Sequence, residues 1–323
     1  MIDRPRRLRI NEDMRSLVRE TRLSTKELIY PIFIKEGKGI KEEINAMPGQ
    51  YRYSVDMLGA EMKAIKDSGV NHVILFGIPH DGDCDAVGSA AHDSNGIVQR
   101  AIKEIKDKSD IFVTTDVCLC EYTDHGHCGL LDPNGYVNND KTLDVLAKTA
   151  LSHVEAGADM VAPSDMMDGR VGAIREILDE NNFVNTPIMA YSAKYASAFY
   201  GPFRDAANSA PGKGNRKSYQ MDFHNVREAE HEAQLDLQEG ADIIMVKPAL
   251  AYLDVIAKIR PQIKKPMAAY CVSGEYTMLK LAVDKGLMSE EVIYESHIAI
   301  KRAGADVILT YFAKDIGKFL QEV

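Results

Sequence analysis

Four segments of the chain end in one phrase, and that repetition limits the fold more than any other feature. "KDSGVNHVI" (66–74), "VEAGADMV" (154–161), "LQEGADIIM" (237–245) and "KRAGADVIL" (301–309) each close a helix-period stretch with Gly and open an apolar run. Glycine in that place supplies a left-handed helix cap and turns the chain into the next strand. The repeated unit is therefore a helix followed by a strand.

Eight apolar or β-branched runs are candidate strands: 28–34, 72–78, 111–117, 159–164, 187–193, 242–247, 266–272 and 306–311. They lack strict polar alternation, as strands covered by helices on both faces do, and intervening segments such as "TLDVLAKTALSHVEAG" carry helical spacing. The pattern predicts an α/β fold, a (β/α)8 TIM barrel over residues 28–323 preceded by an N-terminal extended arm, 1–27. An open doubly wound sheet is the alternative, but no GxGxxG follows the early strands. The arm is expected to pack on a neighbouring subunit.

Composition excludes several classes. With 323 residues, 45% of them hydrophobic, the chain can bury a large core, and a net charge of −9 argues against a nucleic-acid surface. No run of about 18 apolar residues predicts a membrane span. "MIDRPRRLRI" is followed by charged residues where a signal peptide needs an apolar stretch. Five cysteines form an odd, sparse set that fits a reducing compartment, so the expected location is the cytoplasm.

In a barrel, the C-terminal strand ends carry the chemistry. Asp116, Cys118, Ser164, Asp165, Lys194, Lys247, Ser273 and Tyr311 fall there. Lys194 and Lys247 end the fifth and sixth strands, and neighbouring strands lie roughly 4.8 Å apart, so the two amines can share a cavity. Burial and mutual repulsion are expected to lower both pKa values and leave neutral nucleophiles. Cys118, Cys120 and Cys128 follow C-x-C-x7-C, which excludes a tidy disulfide pairing. The spacing leaves two readings: a closed zinc site completed by His125 or His127, or an open catalytic one.

The chain resembles the porphobilinogen synthase (5-aminolaevulinic acid dehydratase) family in "RPRRLR", "LIYPIFI", "DVCLCEYTDHGHCG", "SDMMDGRV", "YSAKYASAFYGPFRDAA", "NRKSYQMD", "GADIIMVKP", "VSGEY" and "ILTYFAKD", in order along the chain. The resemblance implies condensation of two 5-aminolaevulinate molecules to porphobilinogen with loss of two waters. It makes Lys247 and Lys194 the Schiff-base lysines, for the propionate-side and acetate-side substrates respectively. Arg204 and Arg216, with Gln220 nearby, would bind one substrate carboxylate, and Ser273 and Tyr311 the other. Asp116 and Ser164 would line the mouth. Cys118, Cys120 and Cys128 would hold catalytic Zn2+ with an exchangeable position, Glu232 would bind regulatory Mg2+, and the assembly would be a homo-octamer. A loop from Tyr195 to Met221 would close over the mouth. A class I aldolase is the enzymatic rival, since it needs one such lysine and no thiolates; a non-catalytic zinc protein is the other.

Overall fold

The structure, a computed structural model, describes residues 2–322 apart from Asn208, Ala210 and Lys213. The barrel strands are β1 (Leu28–Lys35), β2 (His72–Ile78), β3 (Phe112–Val117), β4 (Met160–Pro163), β5 (Met189–Lys194), β6 (Ile243–Lys247), β7 (Met267–Cys271) and β8 (Val307–Thr310). All neighbours pair in parallel, in the order β4-β3-β2-β1-β8-β7-β6-β5. A bridge between Val161 and Ile188 joins the two ends and closes the barrel. The eight expected strands are all present, each within about two residues of its expected bounds.

The repeated glycines behave as their position demands. Gly69, Gly157, Gly240 and Gly304 have φ of 81°, 108°, 108° and 128°, where a side chain would be strained. The aspartate of the phrase has a purpose the sequence did not disclose. Asp159, Asp242 and Asp306 stand at the bases of β4, β6 and β8, and each grips a residue within one position of the start of an adjacent strand twice. Their carboxylates accept the amides of Val113 (2.6 Å), Ile188 (3.0 Å) and Met267 (2.9 Å). Their own amides donate to the carbonyls of the same residues at 2.9, 2.9 and 2.7 Å. The repeat thus sets strand register at the bottom of the barrel. Asp242→Ala removes one charge-assisted bond and should cost about 1.5–3 kcal/mol, read as a lower urea midpoint with unchanged slope.

The edge between β4 and β5 is laced differently from the others. Among the described residues only the Val161–Ile188 bridge joins them, and side chains make up the rest. Arg170, almost wholly buried, donates to the Tyr191 carbonyl at 3.2 Å and to both carboxylate oxygens of Asp236 at 2.9 and 3.1 Å. Lys194 Nζ donates to the Ser164 carbonyl across the same edge.

N-terminal to the barrel, Pro5–Arg9 and Glu12–Leu17 form two short helical turns without a buried residue, and Ile2, Leu8, Ile10, Leu17 and Val18 are exposed. Leu23 is buried, and a Ser24–Glu27 capping box leads into β1. Among the described residues, no helix is long and apolar enough to cross a membrane.

Candidate active site

The register of the sheet brings the two lysines together, because Lys194 on β5 pairs directly with Lys247 on β6. Both are buried, and both ammonium nitrogens lie over the Tyr191 ring, at 5.7 Å for Lys194 and 5.0 Å for Lys247. Aromatic rings wall Lys247 further: Tyr270 at 4.5 Å, Tyr200 at 5.2 Å and Phe203 at 5.2 Å. Tyr200 and Phe203 are parts of this wall, and the Tyr200 hydroxyl also donates to the Lys247 carbonyl at 3.2 Å.

The amines differ in charge, which corrects the expectation of two neutral nucleophiles. Desolvation and the neighbouring Lys194 lower Lys247 to about 7. Burial acts against the Lys194 ammonium as well, but the charges of Cys128, Cys118, Cys120 and Asp116 together outweigh it and raise its pKa above the ordinary lysine value. Anions donated by β3 decide the difference, and a reading of β5 and β6 alone cannot include them.

Cys118, Cys120 and Cys128 follow β3 and converge, with their sulfurs all within 4.8 Å of one another and buried. Cys118 Sγ donates to Cys120 Sγ at 3.4 Å. Hydrogen bonds from the other two thiols, aided by Arg216 and Lys194, push the Cys128 thiol down, whereas burial pushes Cys118 up. Three soft donors in a dry, cationic surrounding suit a thiophilic divalent ion. A second set, Asp116, Cys118 and Glu121, also lies within 4.8 Å. Neither histidine joins a donor set among the described residues: His125 Nδ1 accepts the His127 amide at 3.1 Å, and His127 Nδ1 lies 3.1 Å from the Tyr219 hydroxyl.

Asp116 accepts the Ser164 hydroxyl at 3.1 Å, while its other oxygen is buried without a partner among the described residues. Burial, with Glu121 nearby, raises its carboxyl to about 7. Asp165 points away from the lysines toward Arg170, 3.8 Å off, and its carboxylate accepts the Met167 amide at 2.8 Å. That turn puts Met166 at φ 68°, a strained value for a residue with a side chain, and so fixes Ser164 between Asp116 and Lys194.

The long β5 loop covers the mouth. Its helix Gly201–Ala206 rests on the end of β7, where the Phe203 amide donates to Ser273 Oγ at 2.9 Å and Ser273 Oγ donates to the Phe199 carbonyl at 3.3 Å. Gly274 permits this approach, since a Cβ there would lie 2.5 Å from the Phe199 carbonyl oxygen. Arg52 holds the helix end through the carbonyls of Asp205 and Ala206, both at 2.7 Å. The expected closing loop includes Asn208, Ala210 and Lys213, which lie outside the described residues. Farther on, the Gly212 amide donates to the His125 carbonyl at 3.1 Å and Arg216 donates to Gly126 at 3.0 Å, tying this loop to the cysteine loop.

Arg204, Arg216 and Gln220 retain unused hydrogen-bonding capacity. Among the described residues, Nε of each arginine and both amide atoms of Gln220 are buried without a partner. Burial and the adjacent Arg216 lower Arg204, so the pair forms a cationic recess awaiting an anion. Tyr311, at the end of β8, lies 3.0 Å hydroxyl to hydroxyl from Tyr270.

Glu232 stands apart from this mouth. It is half-buried on the helix Arg227–Gln238 and lines a cavity of about 550 Å³ with Asp168, Asp222, Glu228 and Gln220. Burial raises its pKa, assisted by Asp236, Asp168 and Glu228.

Sequence reasoning missed Glu121, Arg170 and Glu275. Glu275 is buried and accepts the amides of Val272 (2.9 Å), Ala249 (3.4 Å) and Ala251 (3.1 Å), joining the loops after β6 and β7. A single charged residue in a loop, like Glu121, or in the first turn of a helix, like Arg170 and Glu275, carries no periodic signal of burial, so only the fold reveals it.

A family model described as Delta-aminolevulinic acid dehydratase matches residues 2–319. The delta-aminolevulinic acid dehydratase of Methanothermobacter thermautotrophicus is 56% identical over 315 residues, covering 97% of this chain and 96% of its own. That of Synechococcus elongatus is 55% identical over 322 residues, covering 98% of each. A crystal structure of delta-aminolevulinic acid dehydratase (porphobilinogen synthase) from Toxoplasma gondii, in complex with the reaction product porphobilinogen, matches with a TM-score of 0.97 at 45% identity. It covers 100% of this chain and 93% of that one. With paired lysines, a thiol cluster and a barrel of the same shape, the chain belongs to the delta-aminolevulinic acid dehydratase family.

Proposed function

We propose that the chain is a porphobilinogen synthase, condensing two 5-aminolaevulinate molecules with loss of two waters, and that Lys247 and Lys194 each tether one of them as an imine. The observation that carries this reading is the pair of register-matched, buried lysines beside three thiols. Two tethered ketones need no further encounter, which removes much of the entropic barrier to joining them.

The neutral Lys247 amine attacks the ketone of one substrate and expels its oxygen as water. Ser273 and Tyr311 would receive that substrate's carboxylate through their hydroxyls, Ser273 by exchanging its bond to the Phe199 carbonyl. Arg204 and Arg216, with Gln220, receive the carboxylate of the other substrate at Lys194. Asp116 Oδ1 is free to take and return a proton between the two tethered molecules, while Ser164 holds Oδ2. An enamine derived from one imine forms the carbon-carbon bond at the imine carbon of the other substrate, and loss of a neighbouring proton then expels that substrate's lysine as the free amine. The amino group of the same substrate adds to the remaining imine carbon, closes the ring and displaces the second lysine, and a last proton loss makes the ring aromatic. The Gly201–Ala206 helix and the aromatic wall exclude water that would hydrolyse the imines.

Cys118, Cys120 and Cys128 would hold Zn2+, which when bound supplies Lewis acidity toward the second substrate's carbonyl or amine. The oxygen donors of Glu232, Asp168 and Glu228 around one cavity are the support for regulatory Mg2+ there. The exposed apolar side chains of Ile2, Leu8, Ile10, Leu17 and Val18 on the N-terminal arm support a homo-octamer in which the arm, residues 1–27, packs on a neighbouring subunit.

Borohydride reduction in the presence of 5-aminolaevulinate, followed by peptide mapping, tests the reading. Adducts on both Lys247 and Lys194 are expected; adducts on neither would overturn it. The trapping rate at Lys247 should also depend on pH with a definite sign. The neutral amine is the nucleophile and its pKa is lowered to about 7. Below that pH the rate should fall about tenfold per unit, and above it the rate should level off. A rate still climbing at pH 9 would show that Lys247 is not depressed.

A further inference from the structure

The helix Gly201–Ala206 carries two groups the reaction uses, Phe203 on the wall around Lys247 and Arg204 in the anion recess, yet its six residues are too few to be stable alone. Its surroundings also push it outward. Arg204 shares the recess with Arg216, and burial and that second guanidinium both disfavour its charged form. Until a substrate carboxylate arrives, the two like charges repel. One hold on the helix is contested by substrate, because Ser273, which binds Phe199 and Phe203, is itself a proposed carboxylate ligand.

An uncontested hold comes from outside the mouth. The strands Lys41–Glu43 and Tyr51–Tyr53 form a hairpin beside the end of β1, with Arg52 in register with Phe33. The Phe33 ring packs on that of Phe203, 5.6 Å between centres, and the Arg52 fork reaches the helix end. Its Nε and Nη2 donate to the carbonyls of Ala206 and Asp205, both at 2.7 Å, and its Nη1 donates to Glu42 at 2.8 Å. Glu42 is braced in turn by Lys35 at 2.7 Å. Carbonyls in the last turn of a helix lack partners within it, and a guanidinium there satisfies two at once while meeting the negative end of the dipole. The Arg52 side chain is only 11% exposed, which shields these bonds from competing water.

We propose that Arg52 is a positioning residue for the condensation: it keeps the helix seated on the barrel mouth in the substrate-free protein, so that Arg204 and Phe203 are in place before a carboxylate is there to hold them. Substrate then meets a recess already formed. Without Arg52, the second substrate must itself seat the helix against the repulsion, and apparent affinity falls in proportion to the fraction of molecules already seated. The inference rests on the carboxylate role of Arg204 in the proposed function, and the test separates the two.

Arg52→Met keeps much of the stem and removes the fork, whereas Arg52→Lys keeps the charge. In full-length protein, Arg52→Met should raise KM for 5-aminolaevulinate about tenfold or more while kcat stays within about threefold, and Arg52→Lys should recover part of the loss. Borohydride trapping at Lys194 should need the same excess of substrate. Hydrogen exchange over Phe203–Ala207, read by mass spectrometry, should be faster in substrate-free Arg52→Met than in the native protein and return to the native rate at saturating substrate. A role in stability alone would lower the urea midpoint and leave KM and the substrate-dependent exchange unmoved; that result, or a fall in kcat with native KM, would overturn the proposal. Failure of the underlying reading has a different signature, native protein without an adduct at either lysine. If Arg52→Met does not fold, Glu42→Gln frees the fork from its brace and should raise KM about two- to threefold. A native KM in that variant would then dismiss Arg52 from the role.

Discussion

Lys247→Met should fold normally and lose porphobilinogen formation by on the order of 10⁴-fold or more, because the covalent route disappears with the amine. Methionine fits the site: Lys247 is enclosed by Tyr191, Tyr200, Phe203 and Tyr270, an environment already suited to an apolar chain. The sharper comparison is with Lys194→Met. Turnover should fall comparably there, yet borohydride should still trap one substrate molecule on Lys247. An enzyme using a single imine lysine would lose little chemistry from that second substitution. A Lys247→Met protein retaining a hundredth of native turnover would remove the residue from the reaction.

Cys128→Ala should abolish tight zinc binding and reduce turnover on the order of 10³-fold, the equivalent of several kcal/mol of charge stabilisation. Imine formation at Lys247 should persist, since its amine is held by rings and by the sheet rather than by the cysteine loop. Chelation of the native protein should reproduce the loss, and Zn2+ but not Mg2+ should reverse it. Metal analysis by mass spectrometry beside the activity assay decides the matter. A Cys128→Ala protein with native zinc content and native turnover would sever the thiols from the chemistry.

The barrel was legible because its strands are long apolar runs and because glycine is needed wherever the chain leaves a helix with positive φ. Lys194 and Lys247 could be paired in advance, since parallel strands fix which ends are neighbours. Their unequal charge could not, because it depends on three sulfurs and Asp116 brought across the barrel from β3. Cys118, Cys120 and Cys128 are close in sequence and could be grouped by spacing alone. Glu121, between them, gave no sign of being buried. Arg170 was still less visible: its partners Asp165 and Asp236 are separated by 71 residues of chain and meet only when β4 and the helix after β5 come together. Glu232 was recognisable by resemblance, and the fold gives it a cavity distinct from the lysines.

The β4–β5 edge has one further meaning. A barrel normally closes by peptide hydrogen bonds that no reaction can disturb, but here two cations, Arg170 and Lys194, span most of the gap. One of those two, Lys194, is an imine-forming amine of the proposed reaction. Tethering a substrate to it therefore alters a stitch that keeps the cylinder shut, so bond formation at the amine and mechanical tightness of the scaffold become a single coupled event. Amide exchange at Ala162, Ser164 and Ala190–Lys194 should rise and fall with occupancy of Lys194, while the seven other edges stay silent.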